Sequence, residues 1–166
     1  RPVAPEHIFE VGGRIGPDGA ELQPLDEAAV RAAARAIRQQ GIGSIAVVLL
    51  HSYANTAHER RVAAILAEVM PGALISISSE VLPEFREYER FSTTAADAYL
   101  APRLTRYLRR LGDRLAEAGL PAPLVMQSSG GVVDLEGAAD RASACVLSGP
   151  AAGVVGAAYA AAASGY

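Results

Sequence analysis

Three short stretches join hydroxyls, glycines and one imidazole to the ends of apolar runs: His51-Ser52-Tyr53, Ser128-Ser129-Gly130-Gly131 and Ser148-Gly149-Pro150. Each suggests a different chemistry. An imidazole such as His51 is suited to proton transfer or metal ligation near neutral pH. No second His or carboxylate stands near it at ligand spacing, and a lone His is more often a hydrogen-bonded structural group, so no metal site is expected. Ser128, Ser129, Gly130 and Gly131 can offer hydroxyls and backbone N–H groups to an anion; a glycine pair also simply makes a tight turn. Ser148 can cap a helix, Gly149 permits close approach, and Pro150 suits a first helical turn. Such a helix start is a competent anion site. It lacks the Lys and the magnesium-binding hydroxyl of a Walker loop, and it is not a GxGxxG turn. Gly153, Gly156 and the surrounding alanines leave that helix almost without side-chain bulk. On residue types alone, close packing against a sheet is the better reading.

Other chemistries are excluded by composition. All 15 basic side chains are Arg, which rules out a Lys nucleophile or Lys phosphate clamp. The one cysteine, Cys145, allows no internal disulfide and reads as a small buried hydrophobe in a reducing, cytoplasmic setting. A net charge of -3 argues against nucleic-acid binding. No apolar stretch has membrane-spanning length and no secretory leader is visible. The start at Arg1 and the stop at Tyr166 after an Ala-rich helix read as cuts from a longer protein.

The elements that must position these stretches follow from periodicity. Residues 1–24 read as a β-hairpin lead-in: Ile8, Val11 and Ile15 are strand-like, Gly16-Pro17-Asp18-Gly19 is a turn, and Gly12-Gly13 suggests a bulge. Residues 25–79 read as a βαβ core after an opening helix. That helix is capped by Asp26, closed by Gly41 and apolar along Val30, Ala33, Ala34 and Ile37. The run Ser44–Leu50 predicts a strand covered on both faces. The next helix has capping-box spacing at Thr56 and Glu59, an apolar stripe at Val62, Ile65, Leu66 and Val69, and a stop at Pro71-Gly72. A strand over Ala73–Ser79 completes a parallel, right-handed unit.

Residues 80–120 are helical and are expected to kink or restart at Pro102. Leu104, Leu108, Leu111 and Leu115 line one side, and the Arg-rich remainder reads as a solvated face. Residues 121–166 predict a third buried strand ending in the Ser-Ser-Gly-Gly turn, a second extended run, and the terminal helix. The whole is read as one α/β domain, a parallel-type sheet with helices on both faces. All three polar stretches are then expected at carboxyl ends of parallel strands, where such sheets bind ligands.

Taken in order, "LLHSYANTAHE", "SSEVLPEFREYERFSTTAADAYLAP", "MQSSGGV" and "LSGPAAGVVGA" closely resemble the A-subunit family of hydantoinases and 5-oxoprolinases, which includes acetone and acetophenone carboxylase subunits. The resemblance covers nearly the whole chain. It implies part of an actin-like, sugar-kinase-like ATPase superfold (ribonuclease-H-like), with ATP and Mg as cofactors in the intact protein. The implied reaction is ATP-dependent opening of a cyclic amide, or activation of a ketone in the carboxylase branch. It implies a hydantoinase B-type partner subunit as well. A noncatalytic assembly module is the reading from another class. The family's two phosphate loops lie outside this chain, so the segment alone is expected to be inactive and to self-associate through exposed apolar edges. By matching positions, Ser148 and Gly149 border the nucleotide cleft. Glu87, Glu89 and Arg90 are candidates on the substrate side, against the alternative of a structural ion-pair cluster.

Overall fold

The structure, a computed structural model, describes residues 3–146 and 148–165. Leu147, which belongs to the last predicted extended run, lies outside the described residues, as do Arg1, Pro2 and Tyr166. The chain divides into two compact units, Arg1–Tyr99 and Leu100–Tyr166.

The first unit opens on an antiparallel hairpin, β1 (Arg14–Ile15) with β2 (Glu21–Gln23). Its turn closes where expected: Gly16 N donates to Ala20 O, and Asp18 Oδ1 accepts from Ala20 N. The register irregularity falls between Arg14 and Ile15, not at Gly12-Gly13. Gly13 is needed for another reason. It has φ +142°, and a Cβ there would meet Leu25 Cα at 3.2 Å and His58 Nδ1 at 3.3 Å. Helix α1 (Glu27–Gln39) is capped by Asp26, whose side chain accepts from Ala29 N. It buries Val30, Ala34 and Ile37.

Strand β3 (Ser44–Val47), helix α2 (Ala57–Val69) and strand β4 (Leu74–Ile77) form the expected unit, with the strands parallel and in register from Ser44↔Leu74 to Val47↔Ile77. The apolar run continues to Leu50, but the strand stops at Val47. The Leu49 N–H and carbonyl go to side chains instead of a neighbouring strand. Val30, Ile37, Val47, Val62, Ile65, Leu66 and Ile77 make the core on one face of the pair. A fully buried residue such as Ile65 contributes about 1.5–3 kcal/mol there.

A short helix, α3 (Ser78–Val81), precedes the long α4 (Glu87–Glu117). The first part of α4 covers the other sheet face, where Ser44 Oγ donates to Ala98 O and Ser76 Oγ donates to Asp97 Oδ2 at 2.7 Å. Helices therefore flank both faces of this two-stranded sheet. The restart expected at Pro102 does not occur: α4 runs through it as one helix.

In the second unit the sequence reading needs more correction. The predicted third parallel strand is half of an antiparallel hairpin, β5 (Val125–Met126) with β6 (Val132–Val133). Gly130 at φ +89° lets the chain reverse at once. Helix α5 (Leu135–Asp140) is capped by Asp134, which accepts from Gly137 N at 2.7 Å. The predicted extended run is a 3-10 turn, Ala142–Cys145, before α6 (Ser148–Ala163). No residue of α6 is buried. A Cβ at Gly149, Gly153 or Gly156 would meet nothing within 4 Å, so α6 makes no close approach through its glycines among the described residues, although the helix does neighbour β5. No helix of the described residues is long and apolar enough to cross a membrane.

Candidate functional site

Of the three polar stretches, only His51-Ser52-Tyr53 lies past the carboxyl end of a parallel strand, in the loop from β3 to α2. That loop is braced from four directions. The N-terminal hairpin meets it twice: His51 Nδ1 lies 2.8 Å from Ile15 O, and Asn55 Nδ2 donates to Gly19 O at 2.9 Å. A carbonyl only accepts, so His51 Nδ1 carries a proton and Nε2 is the nitrogen left for other work. His51 has φ +57°, the one positive value on a non-glycine among the described residues. Such a backbone persists only where its surroundings enforce it.

The second brace is Glu59, fully buried on α2. Its Oε1 accepts from Leu49 N at 2.8 Å and Ser78 Oγ at 2.6 Å, and its Oε2 accepts from Ser79 N at 2.8 Å. Ser78 gives its one hydroxyl proton to Glu59, so the 3.0 Å contact with Ser52 is a donation from Ser52. Glu59 is thus not the reciprocal partner of a capping box. Thr56 makes no side-chain cap bond, and Asn55 Oδ1 accepts from Ala57 N instead. The signal for its inward position was present in the sequence. Glu59 stands three and seven residues before Val62 and Leu66, on the stripe that is buried.

Arg90 supplies the third brace, at 1% exposure. Its Nη1 donates to Glu84 O and its Nη2 to Leu49 O, both at 3.0 Å, and its guanidinium lies 5.6 Å from the Tyr53 ring centroid. Nε has no partner. Tyr53 in turn meets His51 edge-on, centroids 6.0 Å apart. His51 and Arg90 are therefore joined through Tyr53, a residue that spacing did not single out. Glu87 and Glu89 are exposed in the first turn of α4, and Glu89 Oε1 lies 3.7 Å from Arg86 at the surface. The structural ion-pair cluster weighed for Glu87, Glu89 and Arg90 does not form, because Arg90 turns inward to carbonyls. The fourth brace, His58 Nε2 to Glu21 Oε1 at 2.7 Å, ties β2 to α2 behind the loop.

The second unit carries the other candidates. Ser128 N and Oγ both donate to Ala144 O, at 2.7 and 3.0 Å, and Gly130 N donates to Gln127 O. The turn spanning Ser128, Ser129, Gly130 and Gly131 thus uses several of its donors on its own chain. Its Gly130 faces α6, where an added Cβ would meet Val155 at 3.8 Å. Ser148 is the first residue of α6, and Gly149 is exposed at that helix start. Cys145 is half-buried, not a core residue. It lines an open apolar groove of about 290 Å³ with Leu104, Tyr107 and Val146. No group of three His, Cys, Asp or Glu among the described residues is arranged to hold a metal ion.

These features define an α/β segment whose parallel strands end in a buried polar node, with an exposed helix start in its second unit. The chain belongs to the hydantoinase/oxoprolinase family: the model of the family's N-terminal region matches residues 2–70, and the hydantoinase/oxoprolinase model itself matches residues 90–166. Caprolactamase subunit alpha of Pseudomonas jessenii is 38% identical over 151 residues, 90% of this chain and 22% of that one. The crystal structure of the ATP-dependent caprolactamase from that organism matches with a TM-score of 0.78 at 37% identity, over 89% of this chain and 22% of that one. The 5-oxoprolinase of Saccharomyces cerevisiae is 40% identical over 93% of this chain and 12% of its own. A nucleotide-free structure of acetone carboxylase matches with a TM-score of 0.78 at 30% identity, over 94% of this chain and 22% of that one. The chain thus spans about a fifth of the caprolactamase subunit, and less of the oxoprolinase.

Proposed function

We propose that this chain is the portion of a hydantoinase/5-oxoprolinase-type A subunit that carries part of an ATP-dependent cyclic-amide-opening site. The observation that carries the reading is the likeness to the ATP-dependent caprolactamase, at 37% identity and a TM-score of 0.78. Within an actin-like ATPase fold, Ser148 and Gly149 at the exposed start of α6 fit a phosphate oxygen, since a helix start presents free N–H groups to an anion. Ser128 fits less well, because its amide and hydroxyl are both engaged by Ala144. ATP, when bound, would supply the phosphoryl group that activates the amide oxygen, and magnesium would supply the charge neutralisation that phosphoryl transfer needs. His51, Glu87 and Glu89 are the candidates for the substrate side. Arg90 is too deeply buried to reach a substrate as it stands.

The likeness to acetone carboxylase, with the same TM-score of 0.78 at 30% identity, supports a second reading, a carboxylase-type subunit acting on a ketone. A noncatalytic assembly role for this segment is the third. Relatives named as subunits support a partner subunit, and we assign a B-type chain to that place. The reading includes a cytoplasmic setting, an inactive isolated segment, and self-association through the uncovered apolar face of α6.

The test is ADP release by the full-length protein with ATP and a panel of hydantoin, 5-oxoproline and caprolactam. Amide-dependent ADP release is the expected result. Release that needs acetone and bicarbonate instead moves the protein to the carboxylase branch. No ATP turnover with any amide or ketone sinks both enzymatic readings and leaves the assembly role.

A further inference from the structure

Leu49 is gripped on both sides of its backbone, and the two grips come from different helices. Its N–H donates to Glu59 Oε1 from α2, and its carbonyl accepts from Arg90 Nη2 from α4. Both anchors are buried charged groups, at 0% and 1% exposure. Burying a carboxylate or a guanidinium is costly, and the usual relief is for opposite charges to pair. Glu59 and Arg90 do not pair with each other: each spends its hydrogen bonds chiefly on backbone at this end of the sheet. The peptides so fixed lie two residues before His51. Arg90 also holds the far side of His51 through the Tyr53 ring. Between these two holds His51 keeps φ +57°, with its Nδ1–H on Ile15 O. Nothing among the described residues bonds its Nε2.

We propose that Arg90 and Glu59 are positioning residues. They lock the β3–α2 loop so that the His51 imidazole is presented as one tautomer, with Nε2 accepting the proton that water loses as its oxygen bonds to the phosphorylated amide carbon. The ring C–N bond then breaks, the nitrogen leaves as an amine that takes up that proton, and a second water hydrolyses the acyl phosphate to carboxylate and phosphate. The proton-acceptor role rests on the amide-opening reading; the positioning role rests on the contacts alone.

The experiment therefore has two readouts in the full-length protein, with each variant checked for a cooperative melt. The first is the 15N spectrum of histidine-labelled protein, with the His51 signals assigned by His51→Gln. His51 is expected as the Nδ1–H tautomer in the unmodified protein and as a mixture in Arg90→Lys. Glu59→Gln, which keeps the side chain's shape, serves as the second variant and is expected to give the same mixture. An unchanged tautomer in both overturns the positioning role whether or not the protein opens any amide. The second readout is kinetic. Arg90→Lys is expected to lower kcat by about 10- to 100-fold, since small misplacements of reacting groups have effects of that order, while KM for ATP stays within about twofold. On a His51→Gln background the same change is expected to add less than about twofold, because groups acting as a unit are non-additive. Losses that multiply show that Arg90 does not act through His51 and overturn the proposal. A tautomer shift in a protein inactive on every amide upholds the positioning and overturns only the reaction assigned to it.

Discussion

Ser44 donates its hydroxyl to the carbonyl of Ala98, the helical acceptor that Pro102 cannot serve. A residue in mid-helix normally donates to the carbonyl four positions earlier, and proline has no N–H to give. The sheet supplies the missing donor from β3. This explains how α4 continues through Pro102 where the sequence pattern predicts a restart.

That relationship makes a cycle of two substitutions informative. Ser44→Ala leaves the carbonyl without a donor and is expected to lower unfolding stability by about 1–3 kcal/mol. In a Pro102→Ala background the helix regains its own N–H, and Ser44→Ala is expected to lose less than half as much. Denaturant titration of the four proteins checks this. Equal losses in both backgrounds show that the hydroxyl does not substitute for the helical bond.

Glu59 offers a sharper stability prediction. Glu59→Ala strips partners from two backbone N–H groups, Leu49 and Ser79, and from the Ser78 hydroxyl. Each buried donor left unmade costs about 1–3 kcal/mol, so the expected loss is several kcal/mol, read by chemical denaturation. Ser52→Ala removes only the outer link to Ser78 and should cost about 1 kcal/mol. A Glu59→Ala protein that is no less stable than Ser52→Ala would remove Glu59 from the centre of the node.

The ion pair between α1 and α2 sets a pH dependence. Arg61 Nε and Nη2 each bond a Glu27 oxygen at 2.7 Å, and this hydrogen-bonded guanidinium holds the Glu27 carboxyl below its usual range. A lowered folded-state value means that the unfolded chain takes up the proton first. The stabilisation is therefore present above the unfolded glutamate value of about 4.3 and is lost as pH falls through the folded one. The pair is at the surface, so the contribution is small and sensitive to salt. Melting temperatures of wild type and Glu27→Gln should differ near pH 7, converge as pH falls through the lowered folded-state value of Glu27, and converge at high salt. A difference that grows towards acid pH contradicts this assignment.

How far the sequence reaches depends on how local the cause is. The Asp26 cap, the Gly16–Gly19 turn and the parallel pairing of β3 and β4 follow from turn chemistry, from apolar runs of the right length and from the short strand–helix–strand joins. The apolar stripe of α2 places Glu59 inward, but the partners that hold its carboxylate, Leu49, Ser78 and Ser79, lie ten to twenty positions away. A local capping rule therefore wins on paper and loses in the fold. The same holds for Val125-Met126, where an apolar run predicts a strand but cannot specify its partner. Of the candidate site, His51 and Arg90 could be picked out from residue types and family resemblance. Their linkage through Tyr53 could not, because it depends on where α4 lies against the β3–α2 loop.

Helix α6 separates local propensity from packing most cleanly. It carries no charge over 16 residues, yet Val154 and Tyr159 are 70% and 77% exposed, and space is open around Gly149, Gly153 and Gly156. In this 166-residue chain Gly153→Ala meets no neighbour, so only helix propensity changes. The expected result is a gain of up to about 1 kcal/mol in stability. In the full-length protein the same helix has many more residues available to cover it. If they do, Gly153→Leu should lower that protein's melting temperature while leaving the short chain's unchanged or raised. A loss in the short chain would mean that α6 already packs closely there. No loss in either would mean that its bare face remains in water, which is hard to reconcile with a charge-free helix of this composition.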